Sequence, residues 1–239
     1  MKPKYRVLLT TCDRYLPALK PMAWLMDKYW QPAPDVLVAG FTPPDFDLPA
    51  NWTFQSIGPQ GDYPFGRWSD ALIRLLHLVP DDVFLLMLED MWPVRQVDAD
   101  ALNILYDYML QFQYVAKMDV CADRLYAMGM TDYGRVGRLD LIQSMPGSPY
   151  HLSLMPGFWR KKHLLDVLIP NESPHQVEII GTPRLSFKQD VIVLGTRSWP
   201  LRVTLALRGG DVSKLLLGEV DAEDQRAMRE LGYFKPWEG

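Results

Sequence analysis

The first half of the chain alternates strand-like runs with amphipathic stretches. Four runs have the length and apolar content of strands, and they span residues 6–11, 35–41, 52–57 and 83–88. Three longer stretches place apolar residues at helical spacing, and they span residues 17–29, 69–79 and 98–112. This alternation predicts an α/β fold with parallel strands and right-handed crossovers.

The pattern of the second half is less regular. We predict strands at residues 150–155, 185–194 and 201–207, and helices at residues 158–168 and 221–231. The sequence contains no internal repeat and no low-complexity linker. These features favour one domain with two halves, residues 1–120 and 121–239, over two separable domains.

The composition is that of a globular protein, with 48% apolar and 23% charged residues in 239. The longest apolar run, Val83 to Leu88, is far shorter than the roughly 20 residues that span a bilayer. No signal-peptide pattern precedes the first strand. Cys12 and Cys121 are the two cysteines, too few for a disulfide framework and without metal-ligand spacing. We therefore expect a soluble, cytoplasmic protein without a transmembrane segment.

The net charge of −4 is unevenly distributed. Residues 1–120 carry 10 basic and 15 acidic side chains, whereas residues 121–239 carry 15 basic and 14 acidic ones. Ordinary surface charge accounts for such an asymmetry. An acidic first half could also host a metal ion, and a basic second half could meet an anionic ligand.

Two adjacent carboxylates, Glu89 and Asp90, directly follow the apolar run Val83 to Leu88. Carboxylates in such a position are costly unless they are paired or bind a metal ion. Mg²⁺ or Mn²⁺ would suit them, because hard cations take oxygen ligands. Neighbouring residues of an extended chain point to opposite faces, so we favour Asp90 as the direct ligand. The alternative is a solvated strand end whose carboxylates pair with arginine or cap the next element.

Polar clusters also follow the first strand, at residues 10–14, and fill the loop at residues 58–67. Ligands of open α/β sheets bind at the carboxyl ends of the strands. We therefore expect these clusters and Glu89-Asp90 to converge on one site.

The order of these parts resembles the GT-A glycosyltransferases of bacterial or phage type, which use nucleotide-diphosphate sugars. The resemblance rests on TTCDRY after the first strand, on the helix WSDALIRLLHLVPDD, and on VFLLMLEDMWP. It implies a GT-A-like Rossmannoid mixed sheet flanked by helices, with a nucleotide-sugar-binding first half and a less regular, acceptor-binding C-terminal half. In this sequence Leu88-Glu89-Asp90 takes the place of the family's acidic D-x-D motif. The match is partial, because Leu88 occupies the position of the first acidic residue. The resemblance implies Mn²⁺ or Mg²⁺ at Asp90 and substrate contact at Glu89.

The second half carries a further resemblance, in HLSLMPGFWRKKHLLDVL and the later SPHQVE. Similar segments of bacterial sugar transferases precede a carboxylate that faces the acceptor. The resemblance implies a catalytic base at Glu178 and a substrate contact at Trp159, in a segment that begins at Gly157. His175 could orient the sugar or the acceptor. The alternative for Glu178 is an exposed glutamate or a salt bridge to Arg184.

Further substrate-binding candidates lie in the first half. Thr11 and Asp13 could contact the nucleoside, although Asp13 could equally cap the next helix. Three arginines could meet phosphate, namely Arg14, Arg67 and Arg74, and Asp70 is a further substrate-binding candidate. Tyr63, Phe65 and Trp68 could stack on a base or a sugar ring, although Trp68 lies on the apolar helical face and core packing is the favoured alternative for it. Arg67 is favoured because it precedes a helix N-terminus, and the alternative is a surface arginine.

The sequence thus predicts an enzyme that moves a hexose from a nucleotide-diphosphate sugar to an acceptor hydroxyl. The acceptor could be a surface glycan, a lipid-linked sugar or a hydroxymethylated DNA base. One alternative is a nucleotidyltransferase on a related sheet, which the lack of a Gly-rich phosphate loop with a lysine after the first strand makes less favoured. The other is a non-catalytic carbohydrate-binding protein.

Overall fold

A computed structural model describes residues 2–209 and 211–237 of the chain. Its strands are β1 Arg6–Thr10, β2 Asp35–Gly40, β3 Trp52–Ser56, β4 Val83–Leu88, β5 Met91–Pro93, β6 Val115–Asp119, β7 Met130–Val136, β8 Leu139–Ser144, β9 Gly157–Arg160, β10 Ile192–Thr196, β11 Val203–Leu205, β12 Leu207–Arg208 and β13 Asp211–Val212. Its α-helices are α1 Leu19–Tyr29, α2 Trp68–Leu78, α3 Ala99–Gln111, α4 Asp123–Tyr126, α5 Lys161–Leu165, α6 Pro174–Ser186, α7 Lys214–Glu219 and α8 Ala222–Glu230.

Nine of these strands form one mixed sheet in the order β3-β2-β1-β4-β9-β6-β10-β8-β7. Strands β1 to β4 are parallel, and β9 runs antiparallel between β4 and β6. The chain therefore runs outward from β1 through β2 to β3, and then returns to place β4 on the other side of β1. Such a reversal opens a crevice at the carboxyl ends of the strands, where ligands of α/β sheets bind. The predicted mixed α/β fold is confirmed.

The sheet is covered on both faces, because its central strands are apolar on both sides. Val7 and Leu9 of β1 pack with α1, α3 and α8 on one face. Leu8 packs with α2, α5 and α6 on the other. In β4 all residues but Leu88 are buried. This explains why the local pattern predicts strands β1 to β4 and helices α1 to α3 correctly.

Several predictions in the second half are wrong. Residues 158–160 belong to strand β9, and the helix that follows is only Lys161–Leu165. Residues 150–155 form no strand. The predicted strand at 185–194 is replaced by the end of α6 and by the later β10. Helix α6 starts at Pro174 because Ser173 and Gln176 form a capping box. The sequence contains this signal, but the prediction followed the apolar pattern of residues 185–194 instead.

The apolar pattern does not predict strand β6, because this strand carries the two buried charges of Lys117 and Asp119. Lys117, Asp119 and Arg124 are all fully buried, and Asp119 forms ion pairs with both cations. Arg124 also donates to Ser144 Oγ at 2.9 Å and to the Tyr150 carbonyl at 3.0 Å. Burial alone would raise the pKa of Asp119, but the two cations outweigh it and hold that pKa below its usual value. The cluster thereby fixes the segment after β8 to the sheet.

No helix among residues 2–209 and 211–237 is long and apolar enough to cross a membrane.

The buried cluster predicts an unequal pair of mutations. Asp119→Ala leaves two cations buried without a counter-ion and should lower the free energy of unfolding by about 3–5 kcal/mol. Asp132→Ala removes an exposed partner of Arg197 and should cost about 0–1 kcal/mol. Urea denaturation measures both values. Equal losses would contradict the assignment of the cluster as a structural requirement.

Candidate functional site

A cavity of about 520 Å³ lies at the carboxyl ends of β1, β2 and β4. Five of the residues predicted from sequence line it together: Thr11, Asp13, Arg14, Glu89 and Asp90. The aromatic candidates Phe65 and Trp68 also line it. The three polar clusters expected to converge therefore do so. Their convergence follows from the strand order, which places β1 between β2 and β4.

Asp13 joins the loops at the rim of the cavity. Its two carboxylate oxygens accept hydrogen bonds from the backbone N–H and the hydroxyl of Thr42, each at 2.9 Å. Its own N–H donates to Gln60 Oε1 at 3.1 Å. Asp13 thus connects the segments that follow β1, β2 and β3. Each carboxylate oxygen keeps capacity for a second donor such as a ribose hydroxyl.

Gly40 at the end of β2 lets the neighbouring chains approach closely. A Cβ on Gly40 would lie 3.0 Å from Thr11 Cγ2 and 3.1 Å from the Phe54 ring. Both distances are shorter than ordinary contacts between carbon atoms. A larger residue at this position would force Thr11 or Phe54 to move.

The backbone of the acidic turn is held from both sides. Trp92 Nε1 donates to the Glu89 carbonyl at 2.9 Å, and the Ala206 N–H donates to the Asp90 carbonyl at 2.6 Å. Ala206 follows β11, which pairs with β5. The second half of the chain therefore helps to hold the backbone of this turn.

The carboxyls of Glu89 and Asp90 are half-buried and, among the residues described, form no salt bridge. Burial, and then the nearby charge of Asp90, raises the pKa of Glu89 to about 8. Burial raises the pKa of Asp90 to about 6. Asp90 Oδ1 is buried without a hydrogen-bond partner in the structure. Both carboxyls would therefore gain from a bound cation.

The donor set fits a cation that shares its coordination with a ligand. An unpartnered buried oxygen on Asp90 is suited to Mg²⁺ or Mn²⁺. The described part of the chain holds no group of three or more His, Cys, Asp or Glu side chains that could bind a metal. The remaining oxygens would have to come from water or from phosphate.

One part of the cavity lining is an apolar wall. It includes Phe41, Ile57, Leu72 and Leu75, which sequence reasoning missed because such residues normally indicate core. Phe65 stands at the rim with 75% of its surface exposed. A flat ring could pack against this wall while its polar groups meet the loops.

Arg67 and Asp70 lie elsewhere. They form an ion pair at 2.7 Å, and Asp70 also accepts a hydrogen bond from the Asn171 N–H at 2.7 Å. Together with Arg74 they line a separate groove on the outer side of α2. The structure thus separates these predicted substrate-binding residues from the cavity.

The candidates from the second half are also outside the cavity lining. Glu178 Oε1 accepts a hydrogen bond from the Leu154 N–H at 2.7 Å. His175 is exposed, next to Pro174, which does line the cavity. Trp159 is fully buried among the side chains that pack beneath α2 and α5, so a ligand in the cavity does not reach it.

No protein-family model matches the sequence, and a search of curated proteins found no match. Solved structures do match the fold. An apo UDP-glucose pyrophosphorylase shares 8% identity at a TM-score of 0.51, and the match covers 97% of this chain and 100% of that one. A UTP-bound enzyme of the same kind from Acinetobacter baumannii shares 13% identity at a TM-score of 0.50, covering 97% and 94%. An S. aureus TarS structure shares 13% identity at a TM-score of 0.48, covering 85% and 60%.

These neighbours include enzymes that use nucleotides or nucleotide sugars on a GT-A-like fold. At such low identity the comparison establishes the architecture and not the reaction. The chain has a mixed α/β fold with one large sheet flanked by helices, and it shares this architecture with the two UDP-glucose pyrophosphorylase structures.

Proposed function

We propose that the protein is a glycosyltransferase that moves a hexose from a nucleotide-diphosphate sugar to an acceptor hydroxyl. The observation that carries the proposal is the pair of carboxyls, Glu89 and Asp90, which form no salt bridge within the described residues and line a largely apolar cavity. A cavity of about 520 Å³ has the size of small-molecule and cofactor sites.

The donor would lie with its base against the apolar wall and with its ribose toward Asp13 and Thr11. Its diphosphate would reach the acidic turn, and Arg14 lines the same cavity and could neutralise part of the phosphate charge. Asp90, with Glu89 beside it, would hold Mn²⁺ or Mg²⁺. When bound, such a cation stabilises the charge that develops on the leaving diphosphate.

The acceptor hydroxyl must lose its proton as it attacks the anomeric carbon. The resemblance assigns this task to Glu178, whose carboxylate already accepts a backbone hydrogen bond outside the cavity. Glu89 lies inside the cavity, where its carboxylate can meet a bound substrate. We therefore propose Glu89 as a second candidate for the base, to be compared with Glu178 by Glu→Gln substitution of each.

A nucleotidyltransferase is the alternative that the fold comparison favours, because two structures with a TM-score of 0.50 or more are UDP-glucose pyrophosphorylases. The segment after β1, TTCDRY, argues against it, since it contains neither a glycine nor a lysine. The reaction product separates the two. A glycosyltransferase releases a nucleoside diphosphate, whereas a nucleotidyltransferase makes or consumes pyrophosphate.

Donor binding is expected to depend on Asp90. In a thermal-shift screen against UDP, GDP, CDP and TDP sugars, we expect one nucleotide class to raise the Tm, and more so with Mn²⁺. Asp90→Asn should remove the Mn²⁺-dependent part and lower turnover by at least about 100-fold. Asp190→Asn, which alters an exposed loop residue, is the matched control. Absence of any shift with every nucleotide would favour a non-catalytic carbohydrate-binding protein.

The raised pKa values of Glu89 and Asp90 predict a pH-dependent stability. The folded state keeps these protons at pH values where the unfolded chain has released them, so the contribution of these two groups to the free energy of unfolding falls as pH rises from about 4 to about 8. Glu89→Gln should therefore match the wild type near pH 4.5 and exceed it by up to about 4–5 kcal/mol at pH 9. Urea denaturation at both pH values measures the difference. A variant that is less stable than the wild type at pH 9 would contradict the assignment.

A further inference from the structure

Helix α2 separates two concave surfaces. Its inner side contributes Trp68, Leu72 and Leu75 to the cavity. Its outer side lines a groove of about 410 Å³, which we call the α2 groove and which is formed by Tyr63, Arg67, Asp70, Ile73, Arg74, His77, Leu78 and Pro170. Nothing in the proposed glycosyl transfer uses this second surface.

The charge of Arg67 in the α2 groove is already paired with Asp70. Its Nη2 and Nε donate to Asp70 Oδ1 at 2.7 Å and 3.2 Å, and its Nη1 donates to the Asp62 carbonyl at 3.2 Å. The Arg67–Asp70 ion pair is close to neutral, so the net charge of the groove depends on its other residues.

Arg74 differs from Arg67 in this respect. Its Nε donates to the Ile57 carbonyl at 2.9 Å, which orients the guanidinium. Within the described residues, its two terminal nitrogens have no protein partner, and neither does the ring of His77, three residues further along α2. Residues three apart on a helix lie on the same face. Two neighbouring donors therefore face the groove unpaired.

Beside these donors lies an apolar surface formed by Ile73, Leu78 and Pro170. Leu78 keeps 49% of its surface exposed. A guanidinium with free terminal nitrogens is suited to two oxygens of a phosphate, and a neighbouring imidazole can donate to a third. The apolar surface would suit an organic group attached to that phosphate.

We propose that the α2 groove binds a phosphate ester, with the phosphate held by Arg74 and His77 and the organic group packed on Ile73, Leu78 and Pro170. The site is distinct from the cavity and would exist whether or not the protein transfers sugars.

Histidine NMR signals allow a direct test. The chain has four histidines, of which His77 and His175 are exposed, whereas His151 and His163 are buried. Phenyl phosphate and inorganic phosphate are titrated separately, at fixed pH and ionic strength, into the full-length protein. We expect saturable movement of the His77 signals with both compounds and a lower Kd for phenyl phosphate. Equal affinities would overturn the apolar part of the proposal.

Variants decide whether the movement reports this site. Arg74→Ala should raise the Kd seen at His77 by at least about tenfold, and Arg74→Lys, which keeps the charge, should raise it less. Arg226→Ala removes an exposed arginine of α8, which packs on the opposite face of the sheet, and should change nothing. Unmoved signals of His151 and His163 confirm that each variant is folded. A His77 response that does not saturate, or that survives Arg74→Ala, would overturn the proposal, as would movement of His175 alone.

Discussion

Burial of two carboxyls at the end of β4 is the constraint on which the rest of the site depends. Strand β4 lies between β1 and β9, and its register with β1 places Leu88 beside Thr10. The backbone pairing of β4 with β1 and β9 thereby sets the position of Glu89 and Asp90 at the end of the strand. Hydrogen bonds from Trp92 and Ala206 then fix the turn.

The same chain shows that a buried carboxyl can be neutralised internally. Asp119, at the end of β6, is fully buried between Lys117 and Arg124, and its pKa is lowered. Glu89 and Asp90 lack such cations among the described residues, and their pKa values are raised. The difference lies in their partners. Asp119 stabilises the fold, whereas Glu89 and Asp90 remain available to a cation that binds from solution.

The sequence was informative where local pattern decides the structure. Strands β1 to β4 and helices α1 to α3 follow from the apolar pattern, which also places residues 10–14 and Glu89-Asp90 at strand ends. The second half depends on long-range pairing: β9 enters the sheet between β4 and β6, which buries Trp159, and no local pattern predicts that. The spacing of Arg67 and Asp70 could have indicated their ion pair, because residues three apart on a helix surface are neighbours.

The most direct measurement is a ¹³C NMR titration of the Glu89 and Asp90 carboxyls, with and without Mg²⁺ and UDP. The structure predicts pKa values of about 8 and about 6 for the two groups in the free protein. Both should fall when the cation and the nucleotide bind together, because a nearby positive charge favours the ionised form. Titration of both carboxyls near the ordinary value of about 4, unchanged by Mg²⁺ and UDP, would contradict the account.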